Sequence, residues 1–217
     1  MLEARAVSLD YATGDTVAHA VDTVSLQVPP GSFLGLIGPS GSGKSSLMYL
    51  LSGLKQPSRG AIGFEGREFA RLSAGALMRL RRTRFGFVFQ QHFLINYLTV
   101  LENTLVGAVQ PTPDAVRRAL ALLDRVGLRD RAAARPYQLS IGQRQRVAVA
   151  RALVHQPSLI FADEPTAALD QATGQQVIAL LADYRREMGS SVVVVTHDPD
   201  MLVGADRVFH MRDGRLN

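Results

Sequence analysis

The segment between residues 38 and 45 has the residue types and spacing that hold phosphate groups. It fits the pattern G-x-x-x-x-G-K-[ST] at every position. Glycines let such a loop wrap closely around phosphate oxygens, so that backbone N–H groups and the next helix N-terminus face the negative charge. The predicted phosphate-binding residues are Gly38, Pro39, Ser40, Gly41, Ser42, Gly43, Lys44, Ser45 and Ser46.

The residues around this loop place it between a strand and a helix. Phe33–Ile37 is an apolar run typical of a buried strand, and Ser45–Leu54 repeats leucine at helical spacing. In this context we expect Lys44 to reach the β- and γ-phosphates and Ser45 to be a ligand of Mg²⁺. The sequence therefore predicts that a nucleoside triphosphate binds with Mg²⁺ at the end of this strand.

A pair of acids, Asp163 and Glu164, follows the apolar run Leu159–Ala162. An acid at a strand end in an α/β sheet can lie beside a phosphate loop, where it orients Mg²⁺ or its water shell. We assign that role to Asp163. Neighbouring residues of a strand point to opposite sides, so Glu164 is free to polarise the attacking water. Without the phosphate loop, two acids at this position would more often reflect the ordinary change from an apolar strand to a polar loop. The presence of the phosphate loop favours the catalytic interpretation.

The run Leu139-Ser140-Ile141-Gly142-Gln143 resembles the signature of the ABC ATPase family, normally L-S-G-G-Q. The resemblance implies that a second subunit's signature faces the γ-phosphate held by the first, with Ser140, Gly142 and Gln143 at the nucleotide. Ser140 is also the expected N-cap of the following helix, whose N-terminus favours an anion. Ile141 departs from the family pattern. We expect its side chain to point away from the nucleotide, toward a partner or the helical subdomain.

Four further positions match this family in chain order. The resemblance implies that Tyr11 stacks on adenine and that Gln90 senses Mg²⁺ and the attacking water. It also implies that Ala167–Asp170 contacts the opposing subunit and that His197 contacts the γ-phosphate. The catalytic residues are then expected to be Glu164, His197, Gln90 and Lys44. The expected metal ligands are Ser45, Gln90 and Asp163.

Two segments, Arg81–Gln90 and Asn96–Asn103, resemble the lipoprotein-release and macrolide-efflux branch of the family. This implies an ATP-hydrolysing subunit that works as a homodimer beneath permease subunits, at the cytoplasmic face of the inner membrane. Phe93–Leu98 is then a docking surface for a permease helix or, alternatively, part of the subdomain core. Export, extraction and force transmission remain open, as does a non-transport process such as signalling or cell-envelope regulation.

Hydrophobic periodicity predicts the elements that position these residues. Residues 1–35 alternate apolar and polar positions, broken by Thr13-Gly14-Asp15 and Pro29-Pro30-Gly31, which predicts a β-rich start. The later predicted strands are Phe33–Ile37, Ala61–Phe64, Phe85–Phe89, Leu159–Ala162 and Ser191–Thr196, with a closing hairpin at Asp213-Gly214. The predicted helices are Ser45–Leu54, Leu72–Arg82, Asp114–Val126, Ser140–Val154 and Gly174–Met188. Alternating strands and helices predict a largely parallel sheet.

The predicted fold is therefore α/β. It consists of a P-loop NTPase core with a mostly parallel sheet, an N-terminal antiparallel β subdomain and an inserted α-helical subdomain. We expect one domain over residues 1–217, with the catalytic core at about 1–89 and 155–217. The helical subdomain, which carries the signature, is expected at about 90–154.

Composition narrows the partners. The 217 residues contain no cysteine, which excludes disulfides, thiolate metal sites and cysteine nucleophiles. The net charge of +5 suggests nucleic acid or anionic lipid, but the arginines are spread along the chain, so no nucleic-acid partner is expected. The densest cluster, Arg79–Arg84, is expected to be a solvated helix end, with lipid headgroups or a partner as the alternative. No apolar run approaches the roughly 20 residues that cross a bilayer, and the N-terminus has no signal core, so a cytosolic location is expected.

Two rival functions explain the phosphate loop. An ABC-type ATPase acting on DNA or ribosomes usually carries a coiled-coil insertion or tandem cassettes, and no heptad run separates Lys44 from Asp163. A P-loop kinase needs an acceptor pocket and has no use for Ser140–Gln143. Both are therefore less favoured than the transport ATPase.

Overall fold

The computed structural model describes residues 1–13 and 16–217. The predicted turn at Thr13-Gly14-Asp15 centres on residues 14 and 15, which lie outside the described residues. Two sheets form the framework of the chain. The larger has six strands and carries the predicted chemistry at its edge, and the smaller has four.

The larger sheet is the predicted parallel sheet. Its strands in chain order are β3 (Phe33–Ile37), β6 (Phe85–Val88), β7 (Leu159–Asp163), β8 (Ser191–Thr196), β9 (Arg207–Arg212) and β10 (Arg215–Leu216). The spatial order is β10-β9-β3-β8-β7-β6, and all neighbours are parallel except β10 and β9. These two form the predicted closing hairpin, and Asp213 and Gly214 adopt positive φ angles of 49° and 78° in its turn.

The smaller sheet is the predicted N-terminal antiparallel subdomain. It contains β1 (Leu2–Thr13), β2 (Thr16–Val28), β4 (Arg59–Phe64) and β5 (Arg67–Glu68), in the spatial order β2-β1-β4-β5. The register of β1 on β2 shifts three times between Ala4 and Asp10. Because each shift exchanges the faces of later residues, simple alternation cannot predict this pairing.

Six α-helices accompany the sheets in the described part of the chain. They are α1 (Lys44–Leu51), α2 (Ala74–Arg84), α3 (Val100–Leu105), α4 (Pro113–Arg125), α5 (Ile141–Leu153) and α6 (Gln171–Met188). Helices α3, α4 and α5 all lie between β6 and β7 in sequence and pack on one another. Within the described ranges no helix is long and apolar enough to cross a bilayer.

Two helix starts differ from their predicted positions by two residues or more, and in each case a side chain caps the helix. Ser73 accepts a hydrogen bond from the Ala76 amide, so α2 begins at Ala74 rather than Leu72. Asp170 accepts one from the Thr173 amide, so α6 begins at Gln171, three residues before the predicted start. The last residue of the segment Ala167–Asp170 therefore belongs to a helix cap.

The arginine cluster lies at the end of α2 and is exposed or half-buried, as expected, but several of its side chains also contact neighbouring parts of the fold. Arg81 donates to the Gly53 carbonyl and Arg82 to the Val109 carbonyl, each at 2.8 Å. Arg84 donates to Ser158 at 2.6 Å and pairs with Glu65. These arginines join α2 to neighbouring elements, because guanidinium groups hold backbone carbonyls and carboxylates well.

The larger sheet separates two apolar cores. Along β8, Val192 and Val194 face the core shared with α5 and α6. Val193 and Val195 face the core shared with α1 and the smaller sheet. A strand buried on both faces reads as the continuous apolar run that the sequence contains here. The ends of β3, β7 and β8 are thereby fixed between two packed layers, and the candidate site lies at these ends.

Candidate active site

The phosphate loop follows β3 and opens α1, as predicted. Gly43 is the N-cap of α1 with a φ of 100°, and no side chain caps the helix. A Cβ atom at Gly43 would overlap the Ala20 carbonyl oxygen, and Gly41 also has positive φ, at 79°. Glycine is therefore required at Gly43 by both conformation and space. The free N–H groups at the start of α1 are left facing the loop, where an anion is favoured.

The lysine of the loop folds back over it. Lys44 is buried, and its Nζ donates to the carbonyls of Gly38 and Pro39, each at 2.8 Å. Within the same loop the Ser42 hydroxyl is buried and has no hydrogen-bond partner among the described residues. An unsatisfied buried hydroxyl beside a free helix N-terminus is what phosphate oxygens would satisfy. The loop thus fits the predicted triphosphate.

Ser45 and Asp163, two of the three predicted metal ligands, lie in direct contact. The Ser45 hydroxyl donates to Asp163 Oδ1 at 3.0 Å, although the residues are 118 positions apart. Burial raises the pKa of Asp163, the nearby charge of Glu164 raises it further, and the Ser45 hydrogen bond and Lys44 oppose the shift. Because burial disfavours the charged form of Asp163, a bound cation would stabilise this carboxylate.

The oxygen atoms here match the chemistry of Mg²⁺, which takes oxygen ligands and keeps several waters. Among residues 1–13 and 16–217, no group of three His, Cys, Asp or Glu side chains is placed to hold a metal ion. Ser45 and Asp163 would therefore hold the ion together with phosphate oxygens and water, which is the usual arrangement at nucleotide sites.

Glu164 and His197 meet at the ends of β7 and β8. His197 Nδ1 lies 2.9 Å from Glu164 Oε1 and 3.0 Å from Oε2, and the Thr196 hydroxyl is 3.4 Å from Oε2. The Glu164 amide donates to the Val195 carbonyl at 2.8 Å. Glu164 adopts a φ of +47°, an uncommon backbone conformation for a non-glycine residue. This turn separates its carboxylate from that of Asp163, so the two acids have different partners.

Strand β6 positions Gln90, which follows it, and strand β1 contains Tyr11. Val88 pairs with Ala162, so Gln90 leaves the sheet at the same edge as Asp163, and its side chain is exposed. Tyr11 is half-buried on β1. Lys55 Nζ lies 4.4 Å from the centre of its ring, and hydrogen bonding to Lys55 is the main cause that lowers the pKa of the Tyr11 hydroxyl.

The signature residues form a closed hydrogen-bond pair within the chain. Ser140 is the N-cap of α5 and accepts from the Gln143 amide at 3.1 Å, while Gln143 Oε1 accepts from the Ser140 amide at 2.9 Å. The serine hydroxyl proton and the Gln143 amide protons stay available to an anion. Of the hydrogen bonds among the described residues, none joins the signature to the phosphate loop of the same chain.

The two residues inside this pair differ in their surroundings. Ile141 is 60% exposed, so its side chain does not pack into the helical subdomain, which was one of its two expected positions. Gly142 faces the segment Ala167–Asp170, and a Cβ atom there would lie 3.1 Å from Leu169 Cδ2. The signature and this segment are therefore neighbours on one surface.

Sequence reasoning missed two residues of the site. Lys55, which lies over the Tyr11 ring, sits in a loop with no motif around it. Thr196, which contacts Glu164, is the last residue of a predicted strand directly before His197. Only the position of Thr196 gave a signal, since a hydroxyl residue at a strand end beside candidate catalytic residues faces the same edge.

Comparison with known proteins agrees with this geometry. The family model described as ABC transporter matches residues 21–167. The chain belongs to the ABC transporter family. It has the ATP-binding cassette fold and is an ATPase domain of this family.

Individual relatives can be named. The chain is 45% identical over 219 residues to the macrolide export ATP-binding/permease protein MacB 1/2 of Paracoccus denitrificans, covering 100% of this chain and 33% of that protein. It is 41% identical to MacB of Escherichia coli K12, covering 100% of this chain and 34% of that protein. The chain thus spans about a third of the length of these curated relatives.

Solved structures resemble the whole chain. The dimeric structure of the bacterial ABC transporter cassette MJ0796 is 37% identical, with a TM-score of 0.94, and 100% of this chain and 97% of that one are covered. A dimeric post-hydrolysis state of MJ0796 bound to ADP and Pi has a TM-score of 0.93 at the same identity and coverage. The cassette cbiO1 from Clostridium perfringens is 30% identical with a TM-score of 0.86, covering 100% and 86% of the two chains.

Proposed function

We propose that this chain hydrolyses Mg-ATP in composite sites, each made from the phosphate loop of one copy and the signature of a second. The observation that carries this proposal is the capped N-terminus of α5. It offers donors to an anion, yet it makes no hydrogen bond to its own chain's phosphate loop among the described residues. The dimeric, ADP- and Pi-bound state of the related cassette MJ0796 supports the same arrangement. In a two-fold dimer, the phosphate loop of each copy faces the signature of the other, which gives two equivalent sites.

Binding of the triphosphate falls to the loop between β3 and α1. Lys44 would exchange its two carbonyl partners for phosphate oxygens, and the Ser42 hydroxyl would gain its missing partner. Ser45, Asp163 and Gln90 would hold Mg²⁺, which when bound offsets negative charge on the phosphate oxygens. Tyr11 offers its ring to the adenine.

Hydrolysis then needs an oriented water. The Glu164 carboxylate is mostly shielded from solvent and lies against His197, so it can accept a proton from water while the imidazole holds it in position. Ser140 and the Gly142 amide of the second copy would stabilise charge on the transferring phosphoryl group. Loss of that phosphoryl group removes the charge that joins the two copies, and the dimer opens.

We further propose that this motion is passed to a membrane permease. A groove of about 540 Å³ lies between α2, β6 and α5, lined by phenylalanines and arginines. Phe93 is 60% exposed and Tyr97 76% exposed, whereas Leu94 packs against the core. The Leu94 contact fits the expected core role of Phe93–Leu98, and the exposed rings support the proposed docking role. These rings suit an apolar helix of a permease, which would hold the chain at the cytoplasmic face of the inner membrane.

Export of a small molecule is the transport process that the relatives' names favour, since MacB proteins are named for macrolide export. The division into a catalytic core and a helical subdomain at 90–154 is part of the same proposal, because α3, α4 and α5 move most simply as one packed group. The alternative is a cassette that drives a permease-like partner for signalling or cell-envelope regulation. It would use the same ATP site and the same groove.

The composite site can be tested by mixing two inactive variants. Lys44→Ala removes phosphate binding from the loop. Ser140→Asp keeps an N-cap, since aspartate and serine cap equally well, but repels the partner's γ-phosphate. A heterodimer of the two contains one fully intact site. With random pairing we expect the mixture to recover up to about a quarter of the wild-type ATPase rate, because half the dimers carry one working site of two; the full quarter applies when the two sites turn over independently.

The control for Ser140→Asp is Thr112→Asp at the N-cap of α4, which should leave the rate unchanged. Sites contained within a single chain would give no recovery on mixing, and that result would refute the composite site.

Phe93→Asp should reduce co-purification with the permease while the isolated ATPase rate is kept. Unchanged co-purification would argue against the groove.

A further inference from the structure

Helix α5 holds the backbone on both sides of Gln90. Gln145 Nε2 donates to the Phe89 carbonyl at 2.9 Å. Arg151 donates from Nη2 to the His92 carbonyl at 2.6 Å and from Nη1 to the Phe93 carbonyl at 2.7 Å. Gln90 lies between these held carbonyls, while its own side chain is exposed. Its position is therefore fixed from α5 rather than from the strand alone.

The contacts of Arg151 require a charged group to lose part of its hydration, which costs free energy. Its guanidinium is partly buried, and this burial lowers the pKa of the group. In the part of the chain that the structure describes, no carboxylate lies within salt-bridge distance of it, so the charge is held by carbonyl oxygens. One of the residues it holds, Phe93, has a φ of +44° and a 60% exposed side chain. A partly buried cation thus supports a turn with an uncommon backbone conformation.

The other end of α5 is the signature. Ser140 is the N-cap of this helix, and Arg151 lies in its last turn. At 1.5 Å per residue these two positions are about 16 Å apart along one continuous helix. A displacement of the helix at its first turn is carried to the far end, because the helix has internal hydrogen bonds throughout and no proline.

We propose that Arg151, assisted by Gln145, is a positioning residue that couples the two sites of the dimer. This inference rests on the proposed composite site. The signature turn of α5 faces the nucleotide of the partner, and the Arg151 end sets Gln90 in the chain's own site. Closure of one site therefore moves Gln90 of the other into place, and the ATP dependence of the two sites becomes linked.

The test compares Arg151→Gln with Arg146→Gln. Arg146 is a matched control because it lies on the same helix and donates from Nη1 to a backbone carbonyl, that of Val126, at 2.7 Å. We expect Arg151→Gln to lower kcat about tenfold or more, since displacing a reacting group by an ångström has effects of this size. Binding of a fluorescent ATP analogue to the isolated chain should stay unchanged, and the Hill coefficient for ATP should fall toward one. Arg151→Lys should recover part of kcat.

Hydrogen exchange separates the failure of this inference from the failure of the composite site. Arg151→Gln should speed amide exchange in residues 90–95 and leave residues 126–130 unchanged, with the reverse for Arg146→Gln. This readout does not require hydrolysis. If both variants lower kcat in proportion to their loss of Tm, or if Arg151→Gln keeps the wild-type kcat and Hill coefficient, Arg151 is merely structural and the coupling role is overturned.

Discussion

His197 Nδ1 lies 2.9 Å from Glu164 Oε1 and 3.0 Å from Glu164 Oε2, so a single ring nitrogen faces both oxygens of the carboxylate. The two residues follow neighbouring parallel strands whose ends are fixed between two cores. The contact orients the carboxylate without neutralising it when the imidazole donates one N–H as a neutral ring. A residue that must accept a proton from water needs this combination of fixed direction and available charge.

Glu164→Gln removes the carboxylate that we propose as the proton acceptor and keeps the shape of the side chain. We expect kcat for ATP to fall at least about 100-fold, since general-base catalysis contributes on that scale. ATP binding persists, so dimers accumulate, which size-exclusion chromatography with ATP would detect. Glu187→Gln, which alters a surface pair with Arg125, serves as the control. Rapid turnover by the Glu164→Gln variant would refute the assigned role.

Tyr11→Ala removes the ring that we expect to stack on adenine. Stacking of a base on an aromatic side chain is worth enough that ATP affinity should fall about tenfold. Tyr11→Phe keeps the ring and the core contacts, so its affinity should stay close to that of the wild type. Titration with a fluorescent ATP analogue measures both. Equal losses in the two variants would show that the hydroxyl near Lys55, rather than the ring, is the important feature.

Ile141→Gly and Gly142→Ala should have opposite consequences. The Ile141 side chain is largely exposed, so its removal should leave the ATPase rate within about twofold of wild type, as for other surface changes. A methyl group at Gly142 pushes on Leu169 and lies beside the amide that we propose approaches phosphate, so the rate should fall about tenfold or more. Steady-state ATPase assays decide the comparison. A large loss in Ile141→Gly would instead show that this side chain contacts the second copy.

His155 should make stability depend on pH. Its Nε2 lies 3.0 Å from the Phe85 carbonyl, and its Nδ1 is buried without a partner, so the folded protein holds the neutral ring. Burial lowers the pKa of His155 below its usual 6.5. As the pH falls below 6.5, the unfolded chain takes up a proton that the folded chain refuses, and the free energy of unfolding decreases.

His155→Gln keeps an N–H donor but cannot titrate. Between pH 6.5 and the lowered pKa, the wild type should lose up to about 1.4 kcal/mol per pH unit relative to this variant. Urea denaturation at a series of pH values measures the difference. The exposed His210→Gln should follow the wild type. Parallel curves for wild type and His155→Gln would mean that folding does not lower the pKa of His155.

Much of the fold was predictable because the decisive signals are local. The run Phe33–Ile37, the loop after it and the leucines of α1 are contiguous, and each follows from periodicity or from glycine conformation. The start of α6 was placed wrongly, although Asp170 and Thr173 form a readable capping pair. The register of β1 on β2 was out of reach, because positive φ angles at Ala6 and Thr23 interrupt the alternation on which such a prediction depends.

For the candidate site, motifs identified residues but not their partners. Asp163 and Ser45 were both predicted, but their 3.0 Å contact depends on the packing of β7 beside α1. Arg151 contacts carbonyls 58 and 59 residues earlier in the chain, and its own sequence context shows only an ordinary amphipathic helix. The contacts of the α2 arginines were not predicted for the same reason. A basic run in the sequence does not show which carbonyls its side chains will contact in the fold.

The closed pair between Ser140 and Gln143 has a kinetic consequence. The first turn of α5 is fully formed before any nucleotide lies against it, so association of two copies does not have to order this turn. Closing and opening are then displacements of finished surfaces rather than episodes of folding. Repeated association and separation of two copies therefore does not require this turn to unfold and refold in each cycle.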